Sequence, residues 1–167
     1  EADKYRQQAR EVADKVKAAP AAKQREILAE TGYLVPHWPE PWGRAAGVLE
    51  QLVIDEEFDG MTRWDLSISG CVMLTIAQAG SEEQAQRWVG PVLRGEAQWC
   101  QLFSEPGAGS DAAAVRTAGQ KVEGGWRVTG QKVWTSLAQH CQWGLATVRT
   151  DPEAAKHAGV TMMAIDM

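Results

Sequence analysis

Apolar residues recur at Tyr5, Ala9, Val12, Ala13 and Val16 with Lys, Arg, Asp and Gln between them. That is the spacing of one face of an α-helix, and Pro20 closes the segment. A second, short helix is expected from about Ala22 to Glu30, with Ile27 and Leu28 inward and Gly32 where a left-handed C-terminal cap would sit. Between Val35 and Gly43 stand Pro36, Pro39 and Pro41 with Trp38 and Trp42. Each proline removes a donor and restricts its predecessor, so this segment reads as a loop with aromatic anchors. Helical spacing returns at Val48, Leu49, Leu52, Val53 and Phe58, and again from Trp64 through Leu66, Ile68, Val72 and Leu74 to Ala77. These two helices are apolar enough to form a bundle core. Ser81-Glu82-Glu83-Gln84 has the form of a capping box ahead of Ala85 and Trp88, starting a further helix that is expected to stop before Pro91.

After about Gly95 the period changes from helical to alternating. Trp99, Gln101 and Phe103 are expected to share one face of a strand. Gln120–Glu123 and Trp126–Thr129 flank Gly124-Gly125, a hairpin signal because glycines accept the positive φ of tight turns. Gln142–Arg149 and Gly159–Met167 supply two further strands, the last with no partner edge after it. The expected fold class is therefore α+β and multidomain: an all-α helical bundle over residues 1–95, then an incomplete β domain over residues 96–167.

Composition narrows the function classes. The chain has 167 residues, 44% hydrophobic and 23% charged, which is ordinary globular usage without a signature of disorder. Val160–Ile165 is among the longest apolar stretches and falls far short of the roughly 20 residues a membrane span needs. No membrane span is expected. A net charge of −5 argues against a nucleic-acid binder, which needs a basic face. Residues 1–30 are nearly balanced in charge, so the acidity belongs to the body of the chain. The three cysteines, Cys71, Cys100 and Cys141, form no CxxC pair and are odd in number, disfavouring a zinc cluster or a disulfide framework. His37, His140 and His157 lack ligand spacing, so no metal site is expected. No basic-then-apolar leader opens the chain, and a reduced, cytoplasm-like setting is expected.

Two runs carry candidate chemistry. Gln101-Leu102-Phe103-Ser104-Glu105-Pro106-Gly107-Ala108-Gly109-Ser110-Asp111 follows a strand. Gly107 and Gly109 let backbone N–H groups approach a ligand closely, with the hydroxyls of Ser104 and Ser110 on either side. A Pro/Gly strand exit is also what an ordinary turn looks like. Gly130-Gln131-Lys132-Val133-Trp134-Thr135-Ser136 reads as strand-like, with a large π surface followed by two hydroxyls. A planar cofactor fits on Trp134 with Thr135 or Ser136 bonding a ring nitrogen, while the alternative is a core tryptophan. Trp38, Trp42, Trp64, Trp88 and Trp99 read as packing anchors, and Cys100 and Cys141 as small residues within strands.

Taken in order, "GSEEQAQRWVGPVLRGEAQWCQLFSEPGAGSD", "VEGGWRVTGQKVWTS" and "ATVRTDPEAAKHAGVTMMAIDM" resemble the flavin-dependent acyl-CoA dehydrogenases. The resemblance runs from about Tyr33 to Met167. It implies an N-terminal helical domain joined to a truncated β-barrel middle domain, with the family's C-terminal helical domain absent from this sequence. It also implies FAD as cofactor, bound through Gln101, Leu102, Phe103, Ser104, Gly109, Trp134, Thr135 and Ser136, with Ser110 touching the acyl-CoA thioester. Gln101 departs from the family's usual aromatic residue, which leaves only a main-chain contact there, and Ser104 keeps a hydroxyl where many relatives have Thr. Glu105 and Asp111 are given structural roles. The family's catalytic base lies in the C-terminal domain, so no catalytic residue is assigned.

The implied activity is α,β-dehydrogenation of an acyl-CoA to the trans-2-enoyl-CoA, as in fatty acid β-oxidation, with electrons passed to an electron-transfer flavoprotein. The sequence alone is expected to be inactive. Two alternatives share the fold: an acyl-CoA oxidase, and a catalytically silent subunit that binds a partner through its barrel edge. A homodimer or homotetramer follows from the family pattern, with a heteromer as the variant. The setting would be cytoplasmic, or the mitochondrial matrix in a eukaryote.

Overall fold

The computed structural model describes residues 1–167, and the chain divides into two compact units, Glu1–Glu96 and Ala97–Met167. The first holds α1 (Ala2–Ala18), α2 (Ala21–Glu30), α3 (Val48–Glu57), α4 (Ser67–Ala79) and α5 (Glu82–Arg94). Ala9, Ala13 and Val16 form the buried stripe of α1, four and three residues apart, and meet Leu28, Tyr33, Ile54 and Phe58 in one cluster. Tyr33 stacks on Phe58 at 5.6 Å, and the Arg44 guanidinium lies 4.4 Å over the Tyr33 ring. On α4, Val72, Met73 and Ile76 are buried, as are Ala85, Val89, Val92 and Leu93 on the α5 that packs on it.

Several local expectations are corrected. Of the apolar positions expected inward on α3, Val48, Leu49 and Leu52 are exposed; Val53 and Ile54 carry the burial. Trp64 and Leu66 precede α4, which starts only at Ser67, where Asp65 Oδ1 accepts the Ser67 N–H at 2.6 Å. Trp64 packs instead on the cluster around Phe58. The Ser81/Gln84 capping box is present in both directions, at 3.2 and 2.9 Å. The helix it opens does not stop before Pro91 but continues to Arg94. Its last turn is closed by Gly95 at φ +81°, with Gly95 N–H donating to Val92 O and Glu96 N–H to Pro91 O. Arg25 on α2 adds donors to Leu93 O (2.7 Å) and Val92 O (2.9 Å). These bonds satisfy the final carbonyls, which offsets the donor that Pro91 lacks.

The second unit is built on β1 (Trp99–Leu102), β2 (Ala118–Val122), β3 (Gly125–Thr129), β4 (Trp143–Arg149) and β5 (Val160–Asp166). The central strand is β4. It pairs parallel with β1 from Trp99↔Trp143 to Leu102↔Ala146 and antiparallel with β5 along its whole length. Its end passes to β2 at Ala118↔Arg149, and β3 closes the hairpin. Leu145, Ala146, Thr147 and Val148 are all buried, as expected of a strand with neighbours on both edges. Trp99 stacks on Trp143 at 5.5 Å, which fixes the β1/β4 register at the strand starts. A side chain at Gly144 would meet the end of the Leu102 side chain, which would have to move aside.

Here too details differ from expectation. Trp99 and Gln101 share a face of β1 but not a degree of burial: Trp99 is buried, as is Cys100 on the other face, while Gln101 is exposed, and Phe103 lies beyond the strand. The hairpin turn is Glu123-Gly124, with Gly124 at φ +80°, and Gly125 is already paired with Val122. Cys141 precedes β4 in a half-buried turn rather than a strand. The run Gly130–Ser136 is irregular backbone, not strand.

Candidate functional site

The first candidate run leaves β1 at Leu102 and folds back on itself two residues later. Glu105 and Ala108 exchange backbone hydrogen bonds of 2.8 and 3.1 Å, closing a tight loop over Pro106-Gly107. Gly107, Gly109 and Ser110 stand exposed on this loop, and nothing lies within 4 Å of where a side chain at either glycine would begin. The loop's open face is therefore accessible main chain.

Below the loop lies a buried charge. The Glu105 carboxylate, 7% exposed, accepts from Arg116 N–H (2.7 Å), Thr117 N–H (2.9 Å) and Lys132 Nζ (2.8 Å). Burial opposes its ionisation, but the Lys132 ammonium and the backbone donors prevail and hold it at about 2. A carboxylate so fully engaged organises backbone and has no capacity left for proton transfer. Asp111 is held below its usual range chiefly by Lys156, 2.9 Å away. Arg149 secures the turn that follows, donating to Ala113 O, Val115 O (3.1 Å) and Lys156 O (3.2 Å).

The second run is brought directly against the first. Val133 N–H donates to Ser104 O at 2.9 Å, and Lys132 Nζ donates to Phe103 O at 3.1 Å. The same ammonium reaches Thr147 O (2.7 Å) and Thr147 Oγ1 (3.2 Å) on β4. Trp134 then adopts φ +60°, a left-handed conformation that bulky residues rarely hold, and its side chain is thrown outward to 92% exposure. The core alternative for Trp134 is thereby excluded. Thr135 Oγ1 is buried with no hydrogen-bond partner, and Ser136 is exposed. Gln101 and Ser110 are exposed, without side-chain bonds to the second run.

An uncovered indole, an unpaired hydroxyl beside it and an accessible glycine loop fit a flat aromatic ring system with polar edge atoms, which is the chemistry of a flavin. Two cavities lie in the helical unit. One, of about 430 Å³, is polar and lined by residues including Tyr5, Gln8, Glu30 and Arg44; the other, of about 210 Å³, is lined by Leu28, Leu34, Ile54, Phe58, Met61 and Trp64 among others. No group of three or more His, Cys, Asp or Glu side chains is placed to hold a metal ion. Cys100 is fully buried in β1, and burial, with Cys141 beside it, pushes its thiol up to about 11, which removes it as a nucleophile.

Lys132 has no counterpart in the sequence-level reading of the site. A lysine directly before Val133 and Trp134 is the only local signal, and its partner Glu105 lies 27 residues earlier.

Comparison with known proteins agrees over the whole chain. Residues 1–96 match the family described as acyl-CoA dehydrogenase, N-terminal domain, and residues 100–167 match acyl-CoA dehydrogenase, middle domain. The chain is 51% identical over 154 residues to acyl-CoA dehydrogenase FadE34 of Mycobacterium tuberculosis, covering 91% of this chain and 22% of that protein. Among solved structures, the ChsE4–ChsE5 complex of the same organism is similar at TM-score 0.64 and 27% identity, covering 99% of this chain and 46% of that one. An acyl-CoA dehydrogenase from Geobacillus kaustophilus is similar at TM-score 0.63 and 25% identity, with coverage of 99% and 47%. The chain thus spans about a fifth of one relative and just under half of the others. No helix is long and apolar enough to cross a membrane.

Proposed function

Since the chain belongs to the acyl-CoA dehydrogenase family, we propose that it forms the flavin-binding part of an enzyme that desaturates an acyl-CoA thioester between its α and β carbons. The observation that carries this reading is the pairing of the two runs by Lys132 and Val133, with Trp134 left 92% exposed at their junction. When bound, FAD supplies the acceptor for the hydride that leaves the acyl β-carbon.

This chain's residues bind and orient. The exposed Trp134 indole would hold the ring system by stacking, and Thr135 and Ser136 would offer it hydroxyl donors. Main-chain N–H groups between Gln101 and Ser104 and at Gly109 would offer donors to its polar atoms, and Ser110, exposed to solvent, would be free to meet the acyl-CoA. Fixed donors around an electron-accepting ring favour its reduced, negatively charged form without reorganising when charge develops. Glu105 is not the base that takes the α-proton, because Lys132 and two backbone N–H groups already occupy it. That base is assigned to a residue outside 1–167.

Electrons pass in this reading to an electron-transfer flavoprotein, and the enzyme assembles as an oligomer. The ChsE4–ChsE5 neighbour, a complex of two differently named chains, favours a related but non-identical partner as a second arrangement. The test is the visible spectrum of the protein as isolated. Oxidised-flavin bands at one flavin per chain that bleach on addition of an acyl-CoA, with a dye or electron-transfer flavoprotein reduced and no peroxide formed, are expected. A colourless protein that takes up no FAD would sink the flavin assignment, and peroxide formation would favour an oxidase.

A further inference from the structure

We propose that Lys132 is a positioning residue: its buried ammonium pins the Trp134–Ser136 run to the exit of β1 and so sets the face on which the flavin rests. The flavin part of this inference rests on the function proposed above. The pinning itself rests only on geometry.

Consecutive residues of the second run hold consecutive residues of the first. Lys132 bonds Phe103 O through its side chain, and Val133 bonds Ser104 O through its main chain. The Lys132 side chain is 10% exposed, and its three N–H donors serve Phe103 O, Glu105 Oε1, Thr147 O and Thr147 Oγ1. One ammonium therefore ties the β1 exit, the glycine loop and β4 to the residue two positions before Trp134. No regular structure holds this run, since residues 130–135 pair with no strand. Directly after the two-point pin, the chain enters the left-handed conformation at Trp134, and Leu137 repeats it at φ +63°. Bulky non-glycine residues hold such conformations only where the surroundings over-determine them. Lys132 and Val133 supply that over-determination on the N-terminal side.

A buried ion pair that merely stabilises the fold would behave differently. Glu105 and Lys132 share one contact, but their other partners do not overlap. Glu105 holds the amides of Arg116 and Thr117, whereas Lys132 holds the carbonyls of Phe103 and Thr147. Removing either end therefore loosens a different segment if Lys132 positions the run.

The experiment is residue-resolved amide hydrogen exchange on the full protein and on K132M, K132Q and E105Q, followed by FAD titration of each. K132M is expected to speed exchange at Val133, whose N–H donates to Ser104 O, by at least about tenfold, the scale of a lost charge-assisted bond. Exchange in the β2–β3 hairpin and in residues 1–96 should stay near that of the unaltered protein. E105Q should speed exchange chiefly at Arg116 and Thr117. K132Q, which keeps a donor for Phe103 O, should fall between, and it serves if K132M fails to fold. FAD affinity should drop in the order E105Q, K132Q, K132M, with the bound-flavin band shape in K132M moved toward that of free FAD. Unchanged exchange at Val133 in K132M, or the same segments loosened by K132M and E105Q, would overturn the proposal. If the unaltered protein takes up no FAD, the flavin reading fails while the exchange pattern still decides whether Lys132 pins the run.

Discussion

The largest fully buried side chains of the helical unit are Met73, Leu93, Val16, Val89 and Val92, all apolar, and its inner carboxylates, Glu50 and Glu57, pair with arginines that reach solvent. Arg6 and Arg10 reach Glu57 at 3.0 Å across the α1/α3 face, with both arginines substantially in solvent. The sheet unit inverts this arrangement around its candidate site. There Glu105 and Lys132 lie at 7% and 10% side-chain exposure, while a tryptophan, the largest apolar residue, stands in water. The helical unit hides apolar surface and tolerates charge at its margin. The sheet unit places a charge pair inside so that irregular backbone can be held in one shape and an aromatic face kept free. A fold that only needed stability gains little from a buried ion pair, because desolvation consumes most of the attraction.

Substitutions sharpen this contrast, and the largest effect is expected at the buried pair. Glu105→Ala strands the Lys132 ammonium without its counter-charge and should destabilise the sheet unit by about 3–5 kcal/mol, read from amide exchange on β4. Leu93→Ala, an apolar truncation in the helical unit, should cost about 2–5 kcal/mol, read on α5. If Leu93→Ala exceeds Glu105→Ala, or if Glu105→Ala is near neutral, the contrast collapses. Next comes acid. Glu105 ionises at about 2 in the folded chain against an ordinary 4.5, so folding favours its charged form. Its contribution is complete above about pH 4.5 and is lost as pH falls toward 2. Exchange on β4 should therefore quicken over that window, and E105Q should flatten the profile. Ser81→Ala removes one direction of the capping box and should cost about 1 kcal/mol, visible as fraying at the start of α5. Smallest of all, Arg10→Ala should leave a change in unfolding temperature that added salt erases, since its bond to Glu57 is exposed and screened.

What was legible in the chain follows the same division. The Ser81/Gln84 box, the Gly32 cap at φ +75° and the inward stripe of α1 all follow from neighbours within a few positions, and they stand as read. Pro91 misleads because the bonds that carry α5 past it come partly from Arg25, 67 and 68 residues away along the chain. Val48, Leu49 and Leu52 mislead because spacing tells which residues share a face, not whether that face is covered. At the site, the two runs were visible as motifs, and Glu105 was rightly read as an organiser of backbone. Strand-like composition suggested a strand at residues 130–136. The structure is irregular there because Lys132 turns inward to a carboxylate that no local pattern pairs with it.

Trp134 has one more consequence, for light rather than for structure. An indole 92% exposed emits at the long-wavelength end of the tryptophan range, apart from buried residues such as Trp38 and Trp99. Any chromophore that settles on it displaces solvent and drains its excited state by energy transfer. Subtracting the emission of a W134F variant isolates that single ring, so the chain carries its own optical gauge of whether the face at the end of β1 is occupied.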